Sequence, residues 1–343
     1  MSKIQDLEKQ LYQTAKELYQ PLDAVIELTL QCPLRCRHCY NFDRNVPKKN
    51  EGGLTRLEVI RLISELADAG TLFLAFTGGE PLLCKDLEEY IRVARQHHFV
   101  TRIKTNAVLL TEERIVSLKN AGLNDLDISL YGSTDEVYQK FTDIRSGFTK
   151  VSSAVELLIK AGFKPTMNII LHRQSVHQLD EMIRFCEFNA LPINVSLEIT
   201  DRQDGTSTND YILTREQYIE IMKGPHGQRF LAQNKGGGLQ CPCAVTNCGI
   251  SYSGKVYPCI GAPIEAGNIR EKSFGEIWNH SGVFKKIRNI KNEDFKDCFT
   301  CTDKHFCQRS SGSAYTNTGD YMGKDPRTCD VSSLRRQVIT GVV

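Results

Sequence analysis

Short apolar runs alternate with longer amphipathic segments along the first two thirds of the chain. The amphipathic segments predict helices: in residues 54–69 apolar residues recur every third position from Leu57 to Leu66, behind a possible cap at Thr55. Segments 141–161 and 176–188 follow the same pattern. The apolar runs predict six strands, at 24–31, 71–77, 99–104, 125–131, 165–171 and 192–199. This repeated order is typical of a parallel α/β fold, either a full or partial barrel or a doubly wound sheet.

The alternating pattern stops near residue 200. Residues 201–240 contain the runs DGTSTND and GGG and one helix-type stretch at 215–222, and this composition predicts a linker. The remainder, 241–343, is rich in cysteine and poor in long periodicity, as in small domains that depend on metal for stability. With a single predicted helix in residues 1–22, the chain divides into an N-terminal helix, an α/β domain over 23–200, a linker and a cysteine-rich domain.

Charge and hydropathy exclude several classes of protein. The 343 residues carry a net charge of +2, which gives no overall attraction to nucleic acid or to an anionic membrane. The first twenty residues are polar and lack the apolar core of a signal peptide, and no apolar run reaches the length of a membrane-spanning helix. The sequence therefore predicts a cytoplasmic protein without a membrane or nucleic-acid partner.

Cysteine is the unusual component of this composition. The chain has thirteen cysteines, and without an export signal an odd number in clusters favours metal binding over disulfides. Cys84 and Cys186 stand apart from the clusters. The others form three groups, which are Cys32, Cys36 and Cys39, then Cys241, Cys243, Cys248 and Cys259, and finally Cys298, Cys301, Cys307 and Cys329. Each group is a candidate metal site.

The first group has the spacing C-x3-C-x2-C and follows the first predicted strand. Three thiolates suit a [4Fe–4S] cluster with one iron open to a small molecule, whereas structural zinc usually has four ligands. The spacing alone leaves a zinc half-site or chance as alternatives. Residues 77–81, TGGEP, end the second predicted strand, where two glycines allow close backbone approach and a carboxylate can accept hydrogen bonds from an ammonium group.

Together these two motifs resemble the signature of the radical S-adenosylmethionine enzymes. The resemblance implies that Cys32, Cys36 and Cys39 bind three irons of a [4Fe–4S] cluster, and that the amine and carboxylate of S-adenosylmethionine chelate the fourth. It implies that Tyr40, the aromatic residue after the last cysteine, lies near the adenine. The fold that it implies is a partial (β/α)6 barrel similar to the TIM barrel.

The same resemblance places further residues around the cofactor. They are Gly78, Gly79, Glu80 and Pro81 of the GGEP element, with Thr105, Asn106, Ser129, Arg145 and Asn168. Most of them lie at the carboxyl ends of predicted strands, which share one face of a barrel. By resemblance, Ser129 and Asn168 contact the ribose or the methionyl part, and Arg145 pairs with the carboxylate.

The C-terminal cysteines resemble the auxiliary-cluster extension called a SPASM domain. Gly254 lies shortly before Cys259, and the last group contains C-x2-C-x5-C. The resemblance implies one complete auxiliary [4Fe–4S] cluster, whose ligands are Cys298, Cys301, Cys307 and Cys329. A zinc ribbon is the alternative, since C-x2-C pairs are common there.

The middle cysteine group departs from the family pattern. The resemblance assigns Cys241, Cys248 and Cys259 to a second auxiliary cluster, but residues 308–311 (QRSS) lack the further cysteine that usually follows. Either Cys243 completes this cluster, or one iron stays open and can bind a substrate thiolate. The sequence does not distinguish between these two alternatives for the cluster.

The resemblance also implies a reaction. Reductive cleavage of S-adenosylmethionine produces a 5′-deoxyadenosyl radical, which abstracts a hydrogen atom from the substrate. Because auxiliary clusters can accept an electron from the substrate radical, the favoured expectation is a ribosomally made precursor peptide that receives a thioether or carbon–carbon crosslink. A reductant such as flavodoxin or ferredoxin is expected. Residues 1–21 are too short for a fused leader-binding domain of roughly 80 residues, so either a separate leader-recognition protein or direct binding of the peptide in a groove is expected.

The sequence is also compatible with three alternative functions. Cys84 or Cys186 as a hydrogen-atom donor would indicate a peptide epimerase, although buried structural cysteine is the commoner interpretation. The cysteine-rich domain also resembles tetrapyrrole side-chain enzymes of haem and haem d1 synthesis. The third alternative is a non-catalytic iron–sulfur electron carrier. The intact GGEP element argues against it. Glu198, Asp201 and Arg202 either face the substrate or form a solvated loop.

Overall fold

Parallel strands in chain order form the wall of an open barrel. The structure, a computed structural model, describes residues 3–40, 52–231 and 239–343. Its strands are β1 (Asp23–Glu27), β2 (Phe73–Thr77), β3 (Val100–Thr105), β4 (Asp125–Leu130), β5 (Thr166–Ile170), β6 (Ile193–Ser196), β7 (Asn247–Ile250), β8 (Lys255–Tyr257) and β9 (Gly267–Asn268). Each of β1 to β6 pairs in parallel with the next. The predicted parallel α/β fold is confirmed, and the sheet is an open barrel with β6 and β9 at its edges.

Helices connect the parallel strands and continue through the C-terminal region. They are α1 (Lys3–Leu18), α2 (Arg56–Asp68), α3 (Leu87–Gln96), α4 (Glu112–Ala121), α5 (Asp135–Thr142), α6 (Gly147–Lys160), α7 (Leu179–Phe188), α8 (Arg215–Lys223), α9 (Phe274–His280), α10 (Gly282–Arg288), α11 (Lys296–Phe299), α12 (Ser311–Thr318) and α13 (Pro326–Ile339). Within the described ranges, no helix is both long and apolar enough to cross a membrane.

Helix α2 has its predicted cap but a different buried face. The Thr55 side chain accepts a hydrogen bond from the Glu58 N–H, and the Glu58 carboxylate accepts one from the Thr55 N–H. Leu57, the first residue of the predicted stripe, is 70% exposed. The buried residues are Val59, Leu62, Ile63 and Leu66. Spacing of three residues drifts around a helix of 3.6 residues per turn, so Leu57 and Leu66 lie on opposite sides.

The predicted helical segment 141–161 contains a break. Helix α5 ends at Thr142 and α6 begins at Gly147. Between them Asp143 and Ser146 have φ of 61° and 54°, in the left-handed region that ends a helix. The chain therefore turns at this point, and the turn brings the end of α5 to the loop that follows β1.

The cysteine-rich region extends the barrel sheet. Strand β7 pairs in parallel with β1, opposite β2, and β8 and β9 continue the sheet in antiparallel pairs. Helix α1 packs at the same place, because the Tyr12 hydroxyl donates to Asp23 Oδ2 at 2.9 Å and the Trp278 Nε1–H donates to the Tyr19 carbonyl at 2.6 Å. The predicted boundaries at residues 22, 200 and 240 remain predictions, and the GGG run of the predicted linker lies outside the described residues.

Candidate active site

The first cysteine group lies on the loop that follows β1. Cys36 is buried, and Cys32 and Cys39 are partly buried. Two backbone hydrogen bonds of 2.7 and 2.9 Å, donated by Arg35 and Arg37, tie the loop to the end of α5. The three thiols are therefore held at the carboxyl end of a barrel strand, the face on which such folds build their sites.

The glycines of the GGEP element lie against the start of this loop. The Gly79 N–H donates to the Thr29 carbonyl at 2.6 Å, and the Glu80 N–H donates to the Gln31 carbonyl at 2.8 Å. A Cβ on Gly78 would lie 2.3 Å from the Thr29 carbonyl oxygen, and one on Gly79 would lie 2.3 Å from that of Gln31. Both positions require glycine because the two strand ends are in backbone contact.

Replacing Gly79 by alanine is expected to displace the cysteine loop. The added Cβ meets backbone rather than a flexible side chain, so the free energy of unfolding should fall by about 1–3 kcal/mol, and iron bound after anaerobic reconstitution should fall with it. Thermal denaturation and iron analysis measure both. Gly275→Ala is the matched control, since a Cβ there has no heavy atom within 4 Å. Wild-type iron content in the Gly79 variant would refute the close packing.

Glu80 is fully buried at the centre of this arrangement. Its Oε1 accepts hydrogen bonds from the Thr105 hydroxyl at 2.6 Å and the Leu82 N–H at 3.1 Å, and its Oε2 accepts one from the Asn106 N–H at 2.9 Å. The Asn106 side-chain amide donates to Cys32 Sγ at 3.6 Å. Burial raises the pKa of Glu80 to about 7, although these hydrogen bonds lower it. Predicted residues from three strand ends therefore meet at one place.

Tyr40 lies inside the barrel. Its hydroxyl donates to Glu27 Oε1 at 3.1 Å, and burial raises its pKa well above the usual value. The sulfurs of Cys39 and Cys259 lie near enough to act on it electrostatically. Tyr40 thus stands between the first cysteine group and the middle one, and its contact with adenine remains a prediction.

His38 lies between Cys36 and Cys39, and the sequence predicts that its side chain points away from the cluster. Its imidazole stacks on Phe141 with ring centroids 5.0 Å apart and meets the edge of Tyr131 at 5.4 Å. Its Nδ1 is buried without a hydrogen-bond partner among the described residues. Burial lowers its pKa to about 3, so the ring is neutral. The imidazole therefore belongs to the aromatic packing of Tyr131 and Phe141.

A cavity of about 460 Å³ lies beyond the carboxyl-terminal parts of β4, β5 and β6. Ser129, Asn168 and Glu198 line it, and burial raises the pKa of Glu198. Ser129, Asn168 and Asn194 lie in register across the three strands, and the Asn194 amide donates to Asn168 Oδ1 at 3.2 Å. Arg145 is exposed in the turn between α5 and α6 and is not among the lining residues. Its pairing with a cofactor carboxylate remains a prediction.

Cationic side chains outnumber acidic ones on the wall of this cavity. The cations are Lys104, Arg229, Arg327 and Arg335, and the acids are Asp127, Glu198 and Asp325. Lys104 Nζ lies 2.8 Å from Asp127 Oδ2, and Arg229 lies 3.2 Å from Glu187 at the cavity rim. The wall therefore carries charges of both signs, and its cations are engaged in ion pairs and hydrogen bonds within the chain.

Four other residues for which the sequence suggests a role in the site do not line the cavity. Asp201 accepts a hydrogen bond of 2.5 Å from Arg327, and Arg202 donates to a backbone carbonyl of the first cysteine loop at 2.8 Å. Both belong to intramolecular contacts rather than to a solvated loop. Cys186 is fully buried on α7, and Cys84 follows the GGEP turn. Neither cysteine lines the cavity, so the structure offers no support for a hydrogen-donor role.

The last cysteine group forms a single compact site. Cys298, Cys301, Cys307 and Cys329 all line one small cavity of about 50 Å³. Burial raises the pKa of the Cys329 thiol to about 11. Four thiols around one enclosed space fit a fully ligated iron–sulfur cluster.

The thiols of the middle cysteine group do not all lie together. The Cys243 thiol lies within hydrogen-bonding reach of the sulfurs of Cys241 and Cys259. Cys248 lies on β7, where its thiol donates to the Asp23 carbonyl at 3.8 Å. In the structure the Cys243 thiol, rather than that of Cys248, lies beside Cys241 and Cys259, and the ligand set of this cluster remains a prediction. Among the described residues, no three His, Cys, Asp or Glu side chains converge closely enough to hold a single metal ion.

Comparisons with known proteins cover both parts of the chain. The family model described as "Radical SAM superfamily" matches residues 26–186, and the SPASM model, described as "Iron-sulfur cluster-binding domain", matches residues 241–302. The AdoMet-dependent heme synthase of Methanosarcina barkeri is 30% identical over 331 residues, which are 88% of this chain and 94% of that protein. The AdoMet-dependent heme synthase of Oleidesulfovibrio alaskensis is 26% identical over 333 residues, 88% of this chain and 85% of that protein.

Solved structures share the fold. Native anSMEcpe with bound AdoMet superposes with a TM-score of 0.69 at 17% identity, over 94% of this chain and 98% of that one. Streptococcus suis SuiB bound to precursor peptide SuiA superposes with a TM-score of 0.61 at 19% identity, over 87% of this chain and 73% of that one. At these identities the likeness concerns the architecture, and the peptide belongs to SuiB.

The relatives correct the expected substrate. The expectation of peptide crosslinking was wrong, because three relatives that match this chain over most of their length are AdoMet-dependent heme synthases. The precursor peptide and the leader-recognition protein were expected only as parts of that function. Cysteine spacing identifies cluster sites and does not report what a neighbouring cavity binds, so the same motifs are compatible with peptides and tetrapyrroles.

Proposed function

Because this chain belongs to the radical SAM superfamily and carries a SPASM domain, we propose that it modifies a side chain of a tetrapyrrole in haem synthesis. It is an enzyme that uses a [4Fe–4S] cluster, S-adenosylmethionine and auxiliary iron–sulfur clusters. When bound, the cluster and S-adenosylmethionine supply a 5′-deoxyadenosyl radical that removes a substrate hydrogen. An electron donor such as flavodoxin or ferredoxin would reduce the cluster.

One observation carries this proposal. The similarity to the heme synthase of Methanosarcina barkeri extends over 94% of that protein, and thus includes the barrel, the segment after it and the cysteine-rich region. A match confined to the cysteine motifs would support only shared cofactors. Similarity along the whole length includes the parts of the chain that surround the cavity.

The first cysteine loop and Glu80 would form the cofactor end of the site. We assign Cys32, Cys36 and Cys39 as ligands of the radical-forming cluster. Asn106 hydrogen-bonds one ligand sulfur and, through its backbone, the Glu80 carboxylate, so it couples the cluster loop to the group that would bind the methionyl amine. The contact fixes these groups before the cofactor binds, which reduces the reorganisation needed.

The cavity wall would form the substrate end. Porphyrin precursors carry several carboxylates on their side chains, and Lys104 and Arg229 would exchange their present partners, Asp127 and Glu187, for such groups through charge-assisted hydrogen bonds. The cavity volume of about 460 Å³ falls within the usual range for small-molecule sites. Ser129 and Asn168 line the same space, so cofactor and substrate would meet there.

A carboxylated metalloporphyrin is expected to bind and to stimulate cofactor cleavage. On anaerobic mixing, the reconstituted enzyme should shift the Soret band of an iron porphyrin with free propionates, and 5′-deoxyadenosine should form together with a porphyrin of changed mass. Arg229→Met should weaken binding on the order of tenfold, the effect of one charge-assisted hydrogen bond. Arg184→Met is the matched control, since that arginine pairs with Glu181 on the exposed side of α7.

The esterified porphyrin separates charge recognition from nonspecific stacking. The methyl ester of the same porphyrin should bind weakly, because it lacks the carboxylates. The proposal is contradicted by an unchanged Soret band together with 5′-deoxyadenosine formation that no porphyrin alters.

A further inference from the structure

Hydrogen-bond donors surround the thiols of the middle cysteine group. The backbone N–H of Ser311 donates to the sulfur of Cys241, and the backbone N–H groups of Gly261 and Ala262 donate to that of Cys259. Hydrogen bonds to ligand sulfurs stabilise the thiolate form and tune iron–sulfur clusters. This site is therefore arranged for a negatively charged cluster, but its own cysteines supply only three ligands.

Tyr321 brings an oxygen donor to the same site. Its hydroxyl lies 3.5 Å from the Cys241 sulfur. The ring is 8% exposed, and Arg309 donates to the Tyr321 carbonyl at 2.6 Å, which fixes the backbone. Tyrosine is a known iron ligand in proteins. We propose that Tyr321 binds the iron that Cys241, Cys243 and Cys259 leave open.

The other donors near this group are directed elsewhere. The Cys248 thiol is directed to the Asp23 carbonyl on β1 and lies within the sheet. The Ser311 hydroxyl accepts a hydrogen bond of 2.6 Å from Arg309. The Tyr321 hydroxyl contacts a ligand sulfur of this group, and this contact favours Tyr321 over Cys248 and Ser311 as the fourth ligand.

Ligation by Tyr321 changes what this cluster can do. When the phenol binds, its O–H bond is replaced by an Fe–O bond and the proton leaves to solvent. With four protein ligands the cluster has no iron for a substrate thiolate, so its function would be limited to electron transfer. The inference rests on the cluster-binding domain and does not depend on the tetrapyrrole substrate.

Mössbauer spectroscopy of ⁵⁷Fe-reconstituted protein tests this ligand. A full-length Cys32/Cys36/Cys39→Ala variant removes the other cluster with an open iron and should retain about eight irons. We expect one iron in this background to have the higher isomer shift of oxygen ligation. Adding Tyr321→Phe should remove that component and, after mild oxidation, give a three-iron cluster with about one iron fewer per chain. Tyr315→Phe, a tyrosine on the neighbouring α12, should leave both unchanged.

Two further measurements test the assignment of Tyr321 independently of the Tyr321→Phe variant. Resonance Raman spectra of the unmutated chain grown with ring-deuterated tyrosine should contain isotope-sensitive tyrosinate bands, a readout that survives if Tyr321→Phe fails to fold. Cys248→Ala should keep the middle cluster intact. An unchanged Mössbauer spectrum in Tyr321→Phe, absent tyrosinate bands, or loss of the cluster in Cys248→Ala would each overturn the assignment. None of these readouts requires a porphyrin, so the proposed function stands or fails separately.

Discussion

Replacing Cys32, Cys36 and Cys39 together by alanine is expected to abolish formation of 5′-deoxyadenosine while the cysteine-rich region keeps its clusters. Iron bound after anaerobic reconstitution should fall from about twelve to about eight per chain, because one four-iron cluster is lost and two remain. The two cysteine-rich sites do not share a thiol with the first loop, so their assembly should be independent. Iron and sulfide analysis with chromatography of the nucleoside product measures both effects.

Cys84→Ala is the matched control for this result. Cys84 lies after the GGEP turn, outside all three cysteine groups, and should change neither iron content nor 5′-deoxyadenosine. If the triple variant kept twelve irons, the assignment of the first loop would be wrong. Little iron with stoichiometric zinc in the wild-type chain would instead favour structural zinc in the C-terminal region.

Replacing Glu80 by glutamine is expected to weaken binding of S-adenosylmethionine by roughly 10- to 100-fold. The substitution keeps the shape of the side chain but removes the charge, and a hydrogen bond to a charged group contributes about 1.5–3 kcal/mol. It also places an NH2 group where Thr105, Leu82 and Asn106 now donate, so one donor loses its acceptor. Equilibrium dialysis with labelled cofactor measures the change.

Glu89→Gln is the matched control for this measurement, because Glu89 pairs with Arg56 on the solvent side of α3. Equal affinities in wild type and Glu80→Gln would remove Glu80 from the cofactor site.

In the cofactor-free protein, the free energy of unfolding should depend on pH because of the Glu80 carboxylate. The pKa of Glu80 is raised to about 7 in the folded chain, against about 4.5 when unfolded, so between these values the folded state binds more protons. The free energy of unfolding should therefore fall as pH rises from about 5 to 8, by roughly 3 kcal/mol for this group. Glu80→Gln should lack this component in denaturant titrations at the two pH values.

Local patterns in the sequence determined the order of strands and helices and the chemistry of the cofactors. Alternation and helical spacing arise within one element, so they are readable without neighbours, as in the six barrel strands and the Thr55 cap. The C-x3-C-x2-C and GGEP motifs are equally local, since each places its donors on a single turn. Spacing alone misjudged the stripe of α2, because which side of a helix is buried depends on the sheet beneath it.

Only the tertiary structure decided which distant residues meet. Cys248 lies on β7, whose pairing with β1 brings its thiol to the Asp23 carbonyl, whereas Cys243 precedes that strand and its thiol lies beside Cys241 and Cys259. Tyr321 joins the same site from a turn some sixty residues or more along the chain, and no local pattern records that approach. The cavity wall combines strands β3 to β6 with α8 and α13. The residues that bind a cluster or contact a substrate come from distant parts of the chain. They become neighbours only when the sheet has formed, so local patterns in the sequence do not identify them.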